Sequence, residues 1–325
     1  MKKVIFVVVL IIIITYLGGL VRANYLKNLE KEYAECAVDL NKSIEGMKVI
    51  MFGGSNMEDK GNINSMGYVV VTRNGQNIFI DGGRDIDKDV VKFYIDKYGK
   101  IDHWIVTHGH TDHVGALCRL LNEENIEINN IYYSLLSEEW YKENDKRGYE
   151  SEKLLLDSLK SDKIKKHIVC KEGQVINIDN VRVDIIREPN PEITNGDNGN
   201  EASMVFKLTA EDVNKSMIFL GDAMTKCSKE LLENPESLKS DAVQMAHHGQ
   251  NGVTKEVYDA IKPEVCFYNT PKWLWNNDAG AGYNTGGWKT VEVRSWFDDS
   301  VKNFVAYEGD KVVRFTSDGI FEVEY

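Results

Sequence analysis

Two short clusters hold five of the seven histidines of this chain. In the first, three histidines and an aspartate lie within six positions, as His108, His110, Asp112 and His113. The second is the adjacent pair His247 and His248. Imidazole and carboxylate groups packed this densely are costly to desolvate together unless a cation lies between them. The spacing therefore predicts a metal site.

The positions of these clusters relative to apolar runs predict where the site assembles. Four apolar runs end in a potential ligand with glycine nearby: 78–80 before Asp81, 104–106 before the first histidine cluster, 218–220 before Asp222, and 243–246 before His247. Such runs are typical of buried strands. Because the ends of strands at one edge of a sheet are where sites form in mixed folds, we expect these four places to converge.

From residue 47 onward the pattern alternates between short strands and helices. It predicts strands at 48–52, 68–72, 77–80, 101–106, 176–186, 204–208, 216–220 and 241–246, helices at 89–98 and 114–121, a largely helical stretch over 131–165, and two hairpin-like turns within 304–325. Strands and helices in this order predict layered sheets covered by helices. No linker divides 47–325, which we expect to be one domain.

The order and spacing of these motifs resemble the metallo-β-lactamase superfamily over most of residues 47–325. The resemblance implies an α/β fold built as a four-layer αββα sandwich, with a one- or two-metal site at one edge of the sheets. It also implies two divalent metal ions as cofactors, with zinc as the expected element, and a metallo-hydrolase activity.

The resemblance assigns a role to each motif residue. His108 and His110 are expected to bind the first metal ion, and Asp112 and His113 the second. Asp222 is expected to bridge the two ions. Asp112 and Asp222 are also the expected catalytic residues, because they would orient a hydroxide held between the metals.

Two further positions complete this expected site. The pair His247 and His248 supplies the last ligand, and the motif leaves open which of the two binds, although we prefer His247. Asp81 matches a carboxylate that supports the site from behind a ligand rather than binding metal itself.

One departure from the superfamily pattern concerns a further histidine expected before the bridging aspartate. The only histidine in that interval is His167, which we interpret as a surface or strand-edge residue. The expected place instead holds Asn200 and Ser203, two candidates for substrate contact. This pattern resembles the branch that contains ComEC-type competence proteins and the teichoic-acid phosphorylcholine esterase. With one ligand fewer, the first metal ion is expected to be more open and more weakly held.

A loop after the last ligand motif carries further candidates for substrate contact. Trp273, Trp275 and Tyr283 lie among glycines and asparagines over 271–284. Such rings can enclose a quaternary ammonium or stack on a sugar or base. The alternative is that Trp273 and Trp275 pack the loop onto the sandwich.

Charge and the N-terminus bear on location and partners. The net charge of -12 argues against nucleic-acid binding, which depends on basic surfaces. Lys2 and Lys3 precede the apolar run 4–14, which predicts a signal peptide or membrane anchor over 1–23, followed by a charged stalk over 24–46. We therefore expect an extracytoplasmic protein, anchored to the membrane or secreted.

Three functions remain open on this sequence. The first is an exported metal-dependent hydrolase that cleaves phosphodiester bonds of a small molecule or the cell envelope. The second is hydrolysis of carboxylic esters, lactones or lactams at the same site. The third is a non-catalytic, metal-stabilised binding domain at the membrane. No protein partner is inferred.

Overall fold

The computed structural model describes residues 44–57, 63–194 and 198–323, together with residues 23, 24, 26 and 27. The chain divides into two units, and the unit Ser43–Val323 contains the folded domain. The predicted signal or anchor segment and most of the predicted stalk lie outside the described residues, so both stay predictions. Among the helices that the structure does describe, none combines the length and the apolar character needed to span a membrane.

Two β-sheets lie at the centre of the domain. In chain order the strands are β1 (Met47–Met51), β2 (Gly67–Val71), β3 (Asn77–Asp81), β4 (Ile101–Ile105), β5 (Ile128–Tyr133), β6 (His167–Val169), β7 (Val175–Ile178), β8 (Val181–Arg187), β9 (Val205–Ala210), β10 (Lys215–Phe219), β11 (Ala242–Gln244), β12 (Val265–Tyr268), β13 (Lys302–Val305), β14 (Lys311–Thr316) and β15 (Gly319–Glu322). The first sheet has the order β15-β14-β1-β2-β3-β4-β5-β6, and the second has the order β13-β12-β11-β10-β9-β8-β7.

Helices cover the outer faces of both sheets. They are α1 (Lys88–Tyr98), α2 (Thr111–Glu123), α3 (Glu138–Asn144), α4 (Tyr149–Ser158), α5 (Asn198–Glu201), α6 (Thr225–Leu231), α7 (Pro235–Leu238), α8 (Lys255–Ile261), α9 (Lys272–Trp275) and α10 (Thr290–Arg294), with 3-10 turns at Gly54–Met57, Asp85–Asp87, Ala246–Gly249 and Ala306–Glu308. The predicted fold class, an α/β structure with two sheets and covering helices, is confirmed.

The inner faces of the two sheets pack against each other through apolar side chains. Phe206 and Phe219 of the second sheet are fully buried and stack with ring centroids 5.0 Å apart. Tyr68 of the first sheet meets Phe219 edge to face at 5.2 Å. Along β8, burial alternates residue by residue, as expected for a strand with one face in the core. The inner faces of the two sheets therefore form the core of the domain.

Parallel pairing brings the strand ends that carry the motifs to one edge of each sheet. In the first sheet β3 and β4 are parallel neighbours, and in the second β10 is parallel to β11 and β11 to β12. Parallel strands have their carboxyl ends on the same side. Asp81 ends β3, the first histidine cluster follows β4, and Asp222 follows β10. The predicted convergence of these strand ends therefore follows from the sheet topology.

The prediction of a largely helical stretch over 131–165 is wrong in part. Residues Ile128–Tyr133 form β5, which pairs in parallel with both β4 and β6, and only α3 and α4 in this stretch are helical. The pairing partners lie far along the chain, and the local pattern could not reveal them. His167, interpreted as a surface or strand-edge residue, begins the exposed edge strand β6.

The packing between the sheets yields a stability prediction. We expect Phe206→Ala to lower the free energy of unfolding by about 3–5 kcal/mol, because it leaves a cavity where a buried ring stacks on Phe219. Denaturant unfolding followed by circular dichroism measures this change. Phe321→Ala, which removes a ring that is 48% exposed, is the matched control and should cost less than about 1 kcal/mol. Equal effects for the two variants would contradict this packing.

Candidate metal centre

The Asp81 carboxylate forms the base of the site. It is fully buried at the end of β3, and its backbone has a φ of 57°, in the left-handed region that Asp tolerates better than most residues. Oδ1 accepts a hydrogen bond from the Thr107 backbone N–H at 2.8 Å. Oδ2 accepts from the Thr107 hydroxyl at 2.8 Å and from His113 Nδ1 at 2.7 Å. Asp81 therefore holds both ends of the loop that carries the first histidine cluster.

These contacts determine which ring nitrogens carry protons. His113 Nδ1 donates to Asp81, so its Nε2 can present a lone pair. The Thr107 hydroxyl donates to Asp81 and therefore accepts from His108 Nδ1, which lies 3.1 Å away. His108 Nε2 is then also free to act as a ligand. This is the arrangement found behind metal-binding histidines, whose second ring nitrogen donates to a carboxylate or another acceptor.

The second histidine pair presents its two rings differently. His248 is buried, and its Nδ1 donates to the backbone oxygen of Asn269 at 2.8 Å, which leaves Nε2 without a hydrogen-bond partner. His247 donates from Nδ1 to the backbone oxygen of Asn251 at 3.1 Å, and its Nε2 lies 3.3 Å from the side-chain amide nitrogen of Asn200. The geometry thus favours His248 as the ligand over His247, the residue preferred on sequence grounds.

Two carboxylates face the free imidazole nitrogens. Asp222 Oδ1 lies 3.1 Å from His113 Nε2, and Asp222 Oδ2 lies 3.7 Å from His248 Nε2. Asp112 Oδ2 lies 3.4 Å from His248 Nε2. The donor atoms of His108, His113 and Asp222 lie within 4.8 Å of one another, as do those of Asp112, His113 and His248. The structure therefore brings together five of the seven motif residues, which follow three different strands.

This donor set fits a divalent cation. The Nε2 atoms of His108, His113 and His248 and Oδ1 of Asp222 are buried and have no hydrogen-bond partner. Each such atom costs about 1–3 kcal/mol unless something compensates it. Ligands at bond lengths of about 2.1 Å around a tetrahedral zinc ion lie about 3.4 Å apart, close to the separations in this cluster. Imidazole nitrogen and carboxylate oxygen are also ordinary zinc ligands.

Burial and neighbouring charges shift the pKa values of His108 and Asp222 in the direction that metal ligands need. Burial lowers the pKa of His108 well below its usual value, and His113 and His110 lower it further. Burial opposes ionisation of Asp222, but His113 and His248 hold the pKa of its carboxyl well below the usual range. Burial alone would lower the pKa of His113, yet Asp222 and Asp81 raise it well above its usual value.

His110, expected to be a ligand of the first metal, has its Nε2 in a different group. That atom lies 2.8 Å from Asp145 Oδ2. Burial opposes protonation of His110, but the hydrogen bond with Asp145 and the charge of Asp112 raise its pKa to about 9. Glu152 completes this second group, whose donor atoms lie within 4.8 Å of one another. Neither Asp145 nor Glu152 was identified from the sequence, because no local motif marks them.

Two residues predicted to contact substrate lie beside the Asp222 loop. Ser203 is fully buried, and its hydroxyl accepts a hydrogen bond from the Asp222 backbone N–H at 3.0 Å. Asn200 is 3% exposed and lies beside His247, and its side-chain oxygen has no hydrogen-bond partner. Ser203 therefore positions Asp222, whereas Asn200 retains a free polar atom near the site.

A buried glutamine that the sequence analysis missed holds two of the loops in place. Gln244 Oε1 accepts from the backbone N–H groups of Leu220 and Gly221, at 2.9 and 2.8 Å. Its Nε2 donates to the carbonyls of Gly221 and Met245, at 3.1 and 2.7 Å. The loop before Asp222 and the segment before His247 are thereby joined. The available signal was a single polar side chain inside the apolar run 242–246.

The aromatic loop divides into a packed part and an exposed part. Trp275 packs edge to face on Tyr268 and lies under the Arg294 guanidinium, 3.7 Å from the ring centroid. Trp273 is half-buried, donates to the Ile63 carbonyl at 3.3 Å and packs against Trp288. Tyr283 is 64% exposed. Trp275 therefore has the packing role that the sequence left open, and Tyr283 remains accessible.

Comparison with known families identifies a match over more than half of the chain. Residues 47–253 match the family model described as Anti-Pycsar protein Apyc1. No curated protein matches the sequence. The matched range contains every candidate ligand described above. This match does not bear on the ComEC-type or phosphorylcholine-esterase branch, and that finer assignment stays a prediction.

Solved structures with the same architecture are distant in sequence. The metallo-beta-lactamase fold protein YhfI from Bacillus subtilis is 13% identical, with a TM-score of 0.52 over 86% of this chain and 100% of that chain. The CmlA beta-hydroxylase E377D mutant is 13% identical, with a TM-score of 0.52 over 82% of this chain and 54% of that chain. A diphosphatase from the PhnP family is 13% identical, with a TM-score of 0.42 over 74% and 94% of the two chains. At this identity the likeness shows the metallo-β-lactamase fold alone.

The hydrogen bond between Asp81 and His113 predicts that the protein binds metal more weakly when the Asp81 carboxylate is replaced by a neutral group. We expect Asp81→Asn to weaken zinc binding by about 10–100-fold, because an amide no longer stabilises the proton on His113 Nδ1. Asn also tolerates the left-handed backbone, so folding should persist. Competition with a chromophoric chelator measures the affinity. Asp89→Asn, at an exposed carboxylate on α1, is the control; an equal affinity for both variants would contradict this role.

The different partners of the two adjacent histidines predict opposite effects on metal content. We expect His248→Asn to lose bound zinc after dialysis, whereas His247→Asn keeps the wild-type content. Both residues have a positive φ that Asn adopts readily, so the two substitutions are matched in their backbone cost. Elemental analysis of the dialysed proteins measures zinc per chain. Loss of zinc from the His247 variant alone would reverse the assignment.

Proposed function

This chain belongs to the family of the anti-Pycsar protein Apyc1, and from that premise we propose that it is a metal-dependent hydrolase of phosphodiester bonds. The fold alone does not determine which reaction is catalysed, since a β-hydroxylase has the same fold. The proposal therefore rests on the chemistry of the site.

The observation that carries the proposal is the ring of buried, unpartnered donor atoms. His108, His113 and Asp222 would hold a divalent cation, with His248 and Asp112 as further ligands. A cation bound there would stabilise negative charge on a substrate oxygen and lower the pKa of water from about 15.7 towards about 7. This is the chemistry that hydrolysis of an unactivated phosphodiester requires.

The residues of this chain supply orientation and charge around that cation. Asp112 and Asp222 are acceptors for the protons of an attacking water, and Asp222 is held in place by Ser203. Arg84 brings a guanidinium nitrogen to 3.7 Å from Asp112 Oδ2, and its side chain remains partly exposed. A positive charge beside the catalytic carboxylates supports an anionic substrate over a neutral ester or lactam. The Asn200 side chain contacts His247, and its amide oxygen has no hydrogen-bond partner. Asn200 is therefore a candidate to contact substrate.

The location and the natural substrate are part of the same proposal. The apolar N-terminal run supports an exported protein, anchored or secreted, that acts on phosphodiesters of the cell envelope or on released nucleotides. Zinc is the element that the imidazole-rich donor set favours. The exposed Tyr283, at the rim of the aromatic loop, offers a ring on which a base or a choline group could stack.

The test is hydrolysis of a panel of chromogenic substrates by the purified chain. We expect zinc-dependent turnover of bis-p-nitrophenyl phosphate and p-nitrophenyl phosphorylcholine, and none of p-nitrophenyl acetate or a cephalosporin. Chelation should abolish turnover and added zinc should restore it. Asp222→Asn should lower the phosphodiesterase rate by at least about 100-fold, because it removes a ligand and a proton acceptor.

Other outcomes assign the other functions. Turnover of the ester or the cephalosporin alone would replace the phosphodiesterase by an acyl hydrolase. A zinc-loaded protein without turnover of any substrate in the panel would leave a metal-stabilised binding domain. Asp96→Asn, at an exposed carboxylate paired with Lys92, is the control and should keep the wild-type rate.

A further inference from the structure

A buried arginine lies behind the loop that carries Asp222. Arg187, the last residue of β8, is 2% exposed, and its Nε donates to a carboxylate oxygen of Glu230 at 2.5 Å. Removing a charged pair from water is costly, and a buried ion pair often stabilises a protein no better than apolar side chains of the same size. Stability alone is therefore a weak reason for this residue, and none of the roles assigned above belongs to it.

The pairing between β8 and β9 is irregular at this arginine. Ile185 lies opposite Phe206, but Arg187, two residues further along, lies opposite Val205, which is only one residue away. Because side chains alternate between the two faces of a strand, the extra residue turns Arg187 to the face that carries Val205. Phe206 belongs to the core between the sheets, whereas Val205 packs with residues of the covering helices. The irregularity thus directs the guanidinium towards α6.

The guanidinium has a second contact, with the segment before β9. Arg187 Nη1 donates to the Ser203 carbonyl at 2.8 Å. On its other side, the Ser203 hydroxyl accepts from the Asp222 backbone N–H at 3.0 Å. Gly221 approaches so closely that a Cβ there would lie 2.9 Å from the same hydroxyl. Ser203 therefore lies between Arg187 and the Asp222 loop and contacts both.

The segment 199–204, which contains this serine, also reaches the first histidine cluster. Its Gly199 is so close that a Cβ there would lie 2.2 Å from His110 Nε2. At its other end the Met204 backbone N–H donates to the Thr107 carbonyl at 2.8 Å. A shift of this segment would therefore move the Asp222 loop relative to the histidine cluster.

Helix α6 holds the segment 199–204 at two points. Glu201 is 4% exposed, and its two carboxylate oxygens accept from the backbone N–H groups of Lys226 and Cys227, both at 2.9 Å. These N–H groups belong to the start of α6, and Glu230, the partner of Arg187, belongs to its end. The helix therefore fixes the segment directly through Glu201 and indirectly through the guanidinium.

We propose that Arg187 is a positioning residue of the metal centre: it holds the Ser203 carbonyl, and through Ser203 it determines where the Asp222 carboxylate lies. The inference rests on the metal centre of the proposed function and adds a residue that touches none of its ligands. A guanidinium suits this role because its planar group donates to two partners in fixed directions, whereas an ammonium is a point charge. Loss of a group that orients a ligand typically weakens metal binding by about 10–100-fold.

The test is the zinc affinity of the full chain, measured by competition with a chromophoric chelator, in Arg187→Met, Ser203→Ala and the double variant. We expect each single substitution to weaken zinc binding by at least about 10-fold. The double variant should lose clearly less than the product of the two single losses, because without the hydroxyl the place of Ser203 no longer affects Asp222. A contribution of Arg187 to the fold alone would give the full product.

A spectroscopic measurement reports the ligand geometry without any turnover. We expect the visible absorption bands of the cobalt-substituted Arg187→Met protein to differ from those of the cobalt-substituted wild type, because the Asp222 carboxylate has moved. Arg182→Met makes the same substitution in the same strand, at an arginine that is paired with Asp184 and has a side chain 42% exposed. This control should keep the zinc affinity and the cobalt spectrum of the wild type.

Circular dichroism of the metal-free variants should match that of the metal-free wild type. If Arg187→Met does not fold, Arg187→Lys replaces it in the test. The lysine keeps the positive charge beside Glu230 but lacks the second fixed donor, so the same loss of zinc affinity is expected.

Two outcomes would overturn the positioning role. They are a folded Arg187→Met variant with the zinc affinity and cobalt spectrum of the wild type, and a double variant whose loss equals the product of the single losses. Failure of the hydrolase is distinguishable from both. If Arg187→Met binds zinc more weakly as expected but the zinc-loaded wild type turns over no phosphodiester, the positioning role stands and the phosphodiesterase does not.

Discussion

The site depends on the hydrogen bonds that Asp81 accepts. This one carboxylate takes the proton of His113 Nδ1 directly and orders His108 through the hydroxyl of Thr107. A histidine can present only one unprotonated nitrogen, so the outer contact decides which nitrogen faces the metal. Asn269 does the same for His248 from the second sheet. Three Nε2 lone pairs are thereby directed into one buried space, and the rest of the fold keeps these partners in register.

The two sheets hold these hydrogen-bond partners in position from opposite sides of the site. Parallel neighbours in each sheet end at the shared edge, and buried polar side chains join the loops that leave them. Gln244 makes four hydrogen bonds to loop backbone, a large number for one side chain inside the core. Such a network is stable only if each member is satisfied. Four buried atoms without a hydrogen-bond partner are the ligand atoms Nε2 of His108, His113 and His248 and Oδ1 of Asp222, which is where a cation would satisfy them.

Much of this fold could be predicted because its signals are local. The histidine string and the apolar strands each depend on residues close in sequence. Strand β5 was missed because its stability comes from pairing with β4 and β6, which no local pattern reports. The N-terminal signal peptide or membrane anchor stays a prediction, because nearly all of that segment lies outside the described residues.

The site was predictable in its motif residues and unpredictable in their partners. His247 and His248 are adjacent and chemically identical, and the structure distinguishes them by burial and by the direction of their rings, which Asn251 and Asn269 set. Asp145 and Glu152 have no spacing relation to His110, since the helices α3 and α4 bring them there. Sequence patterns identify residues that bind as a set. They do not identify a carboxylate whose role comes from packing.

The central claim is that the imidazole Nε2 atoms of His108 and His113 and the Asp222 carboxylate enclose a cation site, and that Asp112 and His248 border it through His113. The most direct measurement is X-ray diffraction at the zinc absorption edge from crystals of the zinc-loaded protein. The account predicts an anomalous peak within about 2.0–2.2 Å of the Nε2 atoms of His108 and His113 and of an Asp222 oxygen. A peak bound through Nδ1, a peak beside His247 but not His248, or no peak in this space would contradict it.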